Sequence, residues 1–176
     1  MTDTRTAAYQ YHGAELGHHH AWLLPSIFRI LDGLNLPAGE RRLFDLGCGN
    51  GSVAQALTQR GWDVTGVDTS ATGIAQANTA WPDLKLNIGS AYDDLAGQFG
   101  QFPVVLSLEV VEHVYAPRHY ARTIFELCAG GGGHHFYPIS RLLEKSGPSP
   151  EWTNGCALHG PLGPRPHQVL VKADAG

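Results

Sequence analysis

Two stretches of the 176-residue chain bring together residue types that could do chemistry. The first is Asp45-Leu46-Gly47-Cys48-Gly49-Asn50-Gly51, a carboxylate followed by three alternating glycines. A second carboxylate, Asp68, closes the next apolar run. Glycines so spaced let the backbone turn sharply and let a ligand approach where a Cβ would intrude. A carboxylate at the end of the following strand can accept both hydroxyls of a ribose. Together these features point to a cofactor that contains adenosine. The glycines run GxGxG, whereas the dinucleotide pattern GxGxxG requires glycine at position 52, which is Ser52. That opposes NAD. Taken singly, the glycines suit a bare strand-to-helix turn and Asp68 suits an N-cap for the next helix.

The second stretch is Ser107-Leu108-Glu109-Val110-Val111-Glu112-His113-Val114, with two carboxylates and an imidazole in five residues. A third cluster, His18-His19-His20, is too short and too internal for a tag. Adjacent histidines leave a helix in different directions, so the three cannot share one ion. The readings of that region are a solvated helix start, or a histidine that serves as a general base or as part of a lid over the substrate, a lid that Tyr9, Tyr11 and His12 could join.

The elements that must position these residues follow from periodicity. Apolar Trp22, Leu23, Ile27, Ile30, Leu31 and Leu34 recur at helical spacing over His18 to Leu34, with Pro25 tolerable only near a first turn. Arg42 to Leu46 reads as strand one, Ser52 to Arg60 as a helix stopped by Gly61, and Trp62 to Val67 as strand two. Ser70 to Asn78 is a second helix, and Leu84, Leu86 and Ile88 alternate as strand three. Val104 to Leu108 is strand four, and a helix from Arg118 to Cys128 carries Tyr120, Ile124 and Leu127 on one face. Strands and helices in this alternation predict βαβ units: a doubly wound, mostly parallel α/β sheet.

The GxGxG run behind Asp45 resembles motif I of class I S-adenosylmethionine-dependent methyltransferases, a likeness that extends from about Leu43 to Gly133. The resemblance implies a Rossmann-like fold with S-adenosylmethionine as cofactor. It places Asp45, Gly47, Cys48, Gly49, Asp68, Thr69, Ser90, Ala91 and Leu108 around that cofactor, Asp45 toward the ammonium of its amino-acid tail. Many members carry Asp where Ser90 stands. The Glu109-to-His113 segment resembles the EVVEH segment of the O-methyltransferases of ubiquinone biosynthesis. That likeness implies O-methylation of a small-molecule acceptor, with Glu112 and His113 as candidate catalytic residues. It also implies a divalent cation such as Mg²⁺ on Glu109, Glu112 and His113, which would acidify a phenol and orient it for attack on the methyl group. The other reading has His113 capping a loop or lining the substrate mouth.

With 43% hydrophobic and 16% charged residues, the composition is that of an ordinary globular domain. A net charge of −4, with basic residues scattered, offers no footprint for nucleic acid. Three widely spaced cysteines fit a reducing compartment. No apolar run is long enough for a transmembrane segment, and the polar Met1 to Thr6 lack a secretory core, so a cytoplasmic location is expected. The expected organisation is a helical segment or lid over 1–35, a cofactor-binding core over 36–133 and an irregular tail over 134–176.

That tail departs from the family. It follows the glycine run Gly130 to Gly133, holds six of the 11 prolines, and shows no strand pattern outside His167 to Lys172. A family member should offer an apolar strand and a hairpin there, so strand four is expected to keep one unpaired edge. Back-translated and read one nucleotide later, His134 to Lys145 permits an apolar run followed by a Ser-Thr-Pro turn like the family's, which suggests an out-of-frame translation. A genuine Pro/Gly-rich extension is the alternative. A truncated, non-catalytic cofactor-binding module is the competing functional reading.

Overall fold

The computed structural model describes Gly13 and residues 18–128, 134–138 and 169–174. Helix α1 (His18–Gly33) leads into β1 (Arg42–Leu46), α2 (Ser52–Thr58), β2 (Asp63–Asp68), α3 (Ala71–Ala80) and β3 (Lys85–Ile88). The short α4 (Leu95–Phe99), β4 (Val104–Leu108) and α5 (Pro117–Leu127) follow, then β5 (His134–Pro138) and β6 (Val169–Asp174). The strands form one sheet in the order β3-β2-β1-β4-β6-β5. The first four are parallel, in register Asp45↔Gly66, Asp45↔Leu106 and Asp68↔Ile88. After β3 the chain crosses back to the other side of β1. The carboxyl ends of β1 and β4 therefore flank the point where the winding reverses, which is where sheets of this kind open a crevice for ligands.

Alternation along the strands builds two cores. Leu43, Val64, Val104 and Leu106 pack with Leu23, Ile27, Val53, Leu57 and Ile74 of α1, α2 and α3. Phe44, Val67 and Val105 pack with Leu95, Tyr120, Ile124 and Leu127 of α4 and α5. Helices on both faces satisfy the doubly wound expectation. Helix α1 contributes to the same core as α2 and α3.

Three sequence expectations change. Pro25 lies inside α1, beyond its first turn. It is exposed, and buried Leu23, Leu24, Ile27 and Leu31 hold the turns on either side despite the lost N–H. Strand four has no bare edge: Leu106 pairs with Val171 of the antiparallel β6, whose Val169-Leu170-Val171 run has β-forming character in spite of its Pro-rich approach. β5 lies outside β6, again antiparallel. Helix α4, absent from the periodicity, is set by Asp94, whose Oδ1 accepts the Gly97 N–H at 2.9 Å. Among the described residues no helix is long and apolar enough to cross a membrane.

One buried polar chain links the second core to the end of β1. The Tyr120 hydroxyl donates to Ser107 Oγ at 2.8 Å, and Ser107 Oγ donates to the Leu46 carbonyl at 2.6 Å. It fixes α5 against the strand that opens the glycine loop. Tyr120→Phe should lower the unfolding free energy by about 1 kcal/mol, the net worth of one such bond, as measured by urea denaturation.

Candidate functional site

The glycine loop is bonded to its neighbours at each step. Gly47 N–H and Cys48 N–H both donate to the Val67 carbonyl, at 2.8 and 3.0 Å, carrying the β1–β2 ladder past the strand end. Gly47 sits at φ +90°, and a Cβ there would strike Val110 Cγ2 in the segment after β4. Glycine is required on both counts. Gly49 N–H donates to Asp68 Oδ2 at 2.8 Å, while Asp68 Oδ1 accepts the Ser70 N–H at 2.7 Å. Asp68 thus fastens the glycine loop to the end of β2. The cap of α3 is Ser70, whose Oγ accepts the Gly73 N–H at 3.1 Å. Each carboxylate oxygen has acceptor capacity beyond one bond, and half-buried Asp68 keeps some for a ligand. Asn50 Nδ2 donates to the Gly13 carbonyl at 2.7 Å, tying the N-terminal segment to the same loop.

Asp45 stands behind the loop, only 1% exposed, and its Oδ2 has no hydrogen-bond partner among the described residues. Burial first, and the charge of Asp68 second, push its carboxyl from 3.8 up to about 7. Burial first, and then the charges of Asp45 and Asp68, hold the neighbouring Cys48 thiol well above its usual range, so it stays protonated and is no nucleophile. A buried acid lacking a partner, with a second carboxylate nearby, favours a ligand that brings hydrogen-bond donors and positive charge. The ammonium and sulfonium of S-adenosylmethionine meet that condition. A pyrophosphate would face two like charges, which agrees with the reading of Ser52 against NAD.

The remaining candidates lie at or beyond the carboxyl ends of β2, β3 and β4. Thr69 is exposed just beyond β2, and Ser90 and Ala91 are half-buried in the loop after β3. Leu108 is buried in the core and can offer a ligand only its main chain. Glu109 is half-buried at φ +52°, a conformation that a non-glycine residue adopts at a cost. His113 is exposed on a short 3₁₀ turn, Val111–His113, that also contains Glu112. Among the described residues no group of three His, Cys, Asp or Glu side chains could hold a metal ion, so a divalent cation finds no support there. The side chain of Glu112, one of the three expected ligands, is not among those described. Tyr9, Tyr11, His12 and the side chains of His18, His19 and His20 also lie outside the described set.

Two residues of interest escaped the sequence reading. Ile88, next to Asp68 in register at the carboxyl end of the edge strand β3, is 64% exposed. Its place at the carboxyl end of a strand was the available signal. Val110, packed over Gly47, gave none, because that contact joins loops far apart in sequence.

The burial of Asp45 fixes the sign of a pH effect. Folding raises its pKa, so the folded state binds the extra proton and stability is highest at low pH. As pH rises from 3.8 to about 7 the protein should lose up to ~1.4 kcal/mol per pH unit from this group, and the deficit persists above. Asp45→Asn should remove that slope and melt at a higher temperature than the parent at pH 8, as followed by calorimetric scans across pH.

A methyltransferase-domain family profile matches residues 21–143. The chain is 42% identical over 107 residues to the ubiquinone biosynthesis O-methyltransferase of Caulobacter sp. (strain K31), covering 58% of this chain and 42% of that protein. It is 32% identical over 139 residues to the protein of the same name from Pseudomonas fluorescens (strain Pf0-1), covering 70% and 59%. The chain thus spans about half the length of the curated relatives it matches. Among solved structures, magnesium protoporphyrin IX methyltransferase from Synechocystis PCC 6803 with bound S-adenosylmethionine superposes with a TM-score of 0.54 at 16% identity, covering 89% of this chain and 82% of that one. An amino pentose methyltransferase from Micromonospora echinaspora, also with S-adenosylmethionine bound, gives 0.53 at 17%, covering 74% and 64%. At such identities these two establish the fold alone. With the profile spanning most of the chain and the winding reversal where the glycine loop lies, the chain belongs to the class I S-adenosylmethionine-dependent methyltransferase superfamily.

Proposed function

We propose that this chain transfers a methyl group from S-adenosylmethionine to an oxygen of a small-molecule acceptor. The observation that carries the cofactor assignment is the unpartnered Oδ2 of buried Asp45 beside the loop that Asp68 fastens. When bound, the cofactor supplies a methyl carbon activated by a positively charged sulfur, which leaves as a neutral thioether. Asp45 pairs with the cofactor's ammonium, and Asp68 accepts from its ribose hydroxyls. Thr69 and the exposed Ile88 border the adenine, with Ser90 and Ala91 completing that side. Leu108 lends its main chain.

The oxygen preference rests on the names of the relatives and on the resemblance of the Glu109-to-His113 segment to the EVVEH segment of that family. Exposed His113 takes the proton that the acceptor hydroxyl gives up as its oxygen is methylated, with Glu112 alongside on the same turn. Little further activation is needed, because the methyl donor is already reactive and alignment supplies most of the rate. The segment beyond Gly133 remains open to the out-of-frame reading, which sequencing the gene across the glycine run decides.

Asp68→Ala should weaken binding of S-adenosylhomocysteine about tenfold to a hundredfold, the worth of bonds to a charged acceptor, measured by titration calorimetry. An unchanged affinity contradicts the assignment. Incubation with labelled methyl donor and parallel sets of phenolic, amine and thiol acceptors should place label on the phenolic oxygen, and His113→Ala should cut that rate about a hundredfold. Label only on nitrogen or sulfur would overturn the oxygen reading while leaving the cofactor site intact.

A further inference from the structure

Tyr92 lies in the loop after β3, two residues beyond Ser90, and nothing in the proposed chemistry uses it. Its base is fixed locally: Tyr92 N–H donates to Ser90 Oγ at 3.2 Å, and Ser90 N–H donates to Asp93 Oδ2 at 2.7 Å. Its phenolic oxygen reaches the segment after β4, where it accepts the main-chain N–H of Tyr115 at 3.1 Å and of Ala116 at 3.2 Å. Ala116 is the N-cap residue of α5 and provides no side-chain cap of its own. Tyr92 therefore supplies, from a distant loop, an acceptor that the helix start lacks. The Tyr92 ring also meets Tyr115 at 4.4 Å between centroids and His119 at 5.3 Å.

Ring packing alone would be served as well by phenylalanine. The hydroxyl is explained by the two amides. The segment it holds begins at Glu109, includes Glu112 and His113, and is fixed near its other end by Val110 against Gly47. Both ends of the acceptor-side segment are thus attached to loops on the cofactor side: Val110 to the glycine loop, and Tyr115 and Ala116 to the loop after β3.

We propose that Tyr92 is a positioning residue, whose oxygen transmits cofactor occupancy of the Ser90–Ala91 loop to the segment carrying Glu109, Glu112 and His113. The inference rests on the cofactor reading for the role of the two loops. Ordering one loop lowers the entropy cost of ordering the other, so occupancy on one side tightens the other without a change of fold.

The test is amide hydrogen exchange of the full chain, free and saturated with S-adenosylhomocysteine, with affinities measured in parallel by calorimetry. In the parent protein the ligand should slow exchange at Tyr115 and Ala116 about fivefold or more, on the scale of one to two neutral hydrogen bonds. Tyr92→Phe keeps the ring contacts and removes the acceptor. It should bind the ligand within about threefold of the parent, yet lose the slowing at both amides. Tyr115→Ala removes the ring contact, keeps the amide and should retain the slowing. Equal slowing in Tyr92→Phe and the parent overturns the proposal, as does binding without slowing in the parent. Loss of ligand affinity in Tyr92→Phe beyond about tenfold would confine Tyr92 to the cofactor loop, overturning the coupling. Failure of the parent itself to bind the ligand would show in the calorimetry and overturn the cofactor reading, taking the coupling with it.

Discussion

The Asp68 carboxylate holds two main-chain N–H groups that belong to different parts of the chain, Gly49 in the glycine loop and Ser70 at the start of α3. Without that bridge the loop after β1 would lose its side-chain tie to β2 and keep there only the two main-chain bonds to Val67. With it, the loop curves back over β2 and brings its glycines beside buried Asp45. Much of the rest supports this closure. The parallel register of β1 with β2 sets the spacing, α2 and α3 cover the outer face, and the Tyr120–Ser107–Leu46 chain braces β1 from the opposite layer.

The closure has an electrostatic consequence. Two carboxylates are gathered at one crevice, one of them deeply buried and lacking a partner, in a region that a net charge of −4 does nothing to relieve. A charged acid in such a place is unfavourable unless a cation joins it. On the proposed reading, a positively charged ligand joining the site offsets that cost, a trade common where binding groups must stand ready. The same arrangement discriminates against phosphate-bearing cofactors through charge, independently of the glycine spacing.

Much of this was legible from residue types. β1 and β4 fall where their apolar runs predict, and the GxGxG loop with Asp68 lies at the winding reversal because both signals are local to a strand end. Contacts between distant loops were not legible: Val110 over Gly47, the Tyr92 oxygen on Tyr115 and Ala116, and Asn50 on Gly13 leave no periodic trace. Pro25 misled because propensity weighs a proline heavily, while the buried residues on both sides of it outweigh that cost. β6 was half visible as an apolar run, but its pairing with β4 spans too many residues to be read from pattern. The backbone of the Glu109-to-His113 segment, a left-handed residue followed by a 3₁₀ turn, was not legible either, because residue spacing encodes neither.

The central claim is that Asp45 awaits a cation, and proton counting tests it most directly. Titration of the protein with S-adenosylmethionine at pH 7, repeated in buffers of different ionisation enthalpy, reports the protons exchanged on binding. Pairing with the ligand's ammonium should pull the Asp45 carboxyl down from about 7, releasing up to about half a proton per site. Binding with no proton release, or with a release that persists unchanged in Asp45→Asn, would contradict the account.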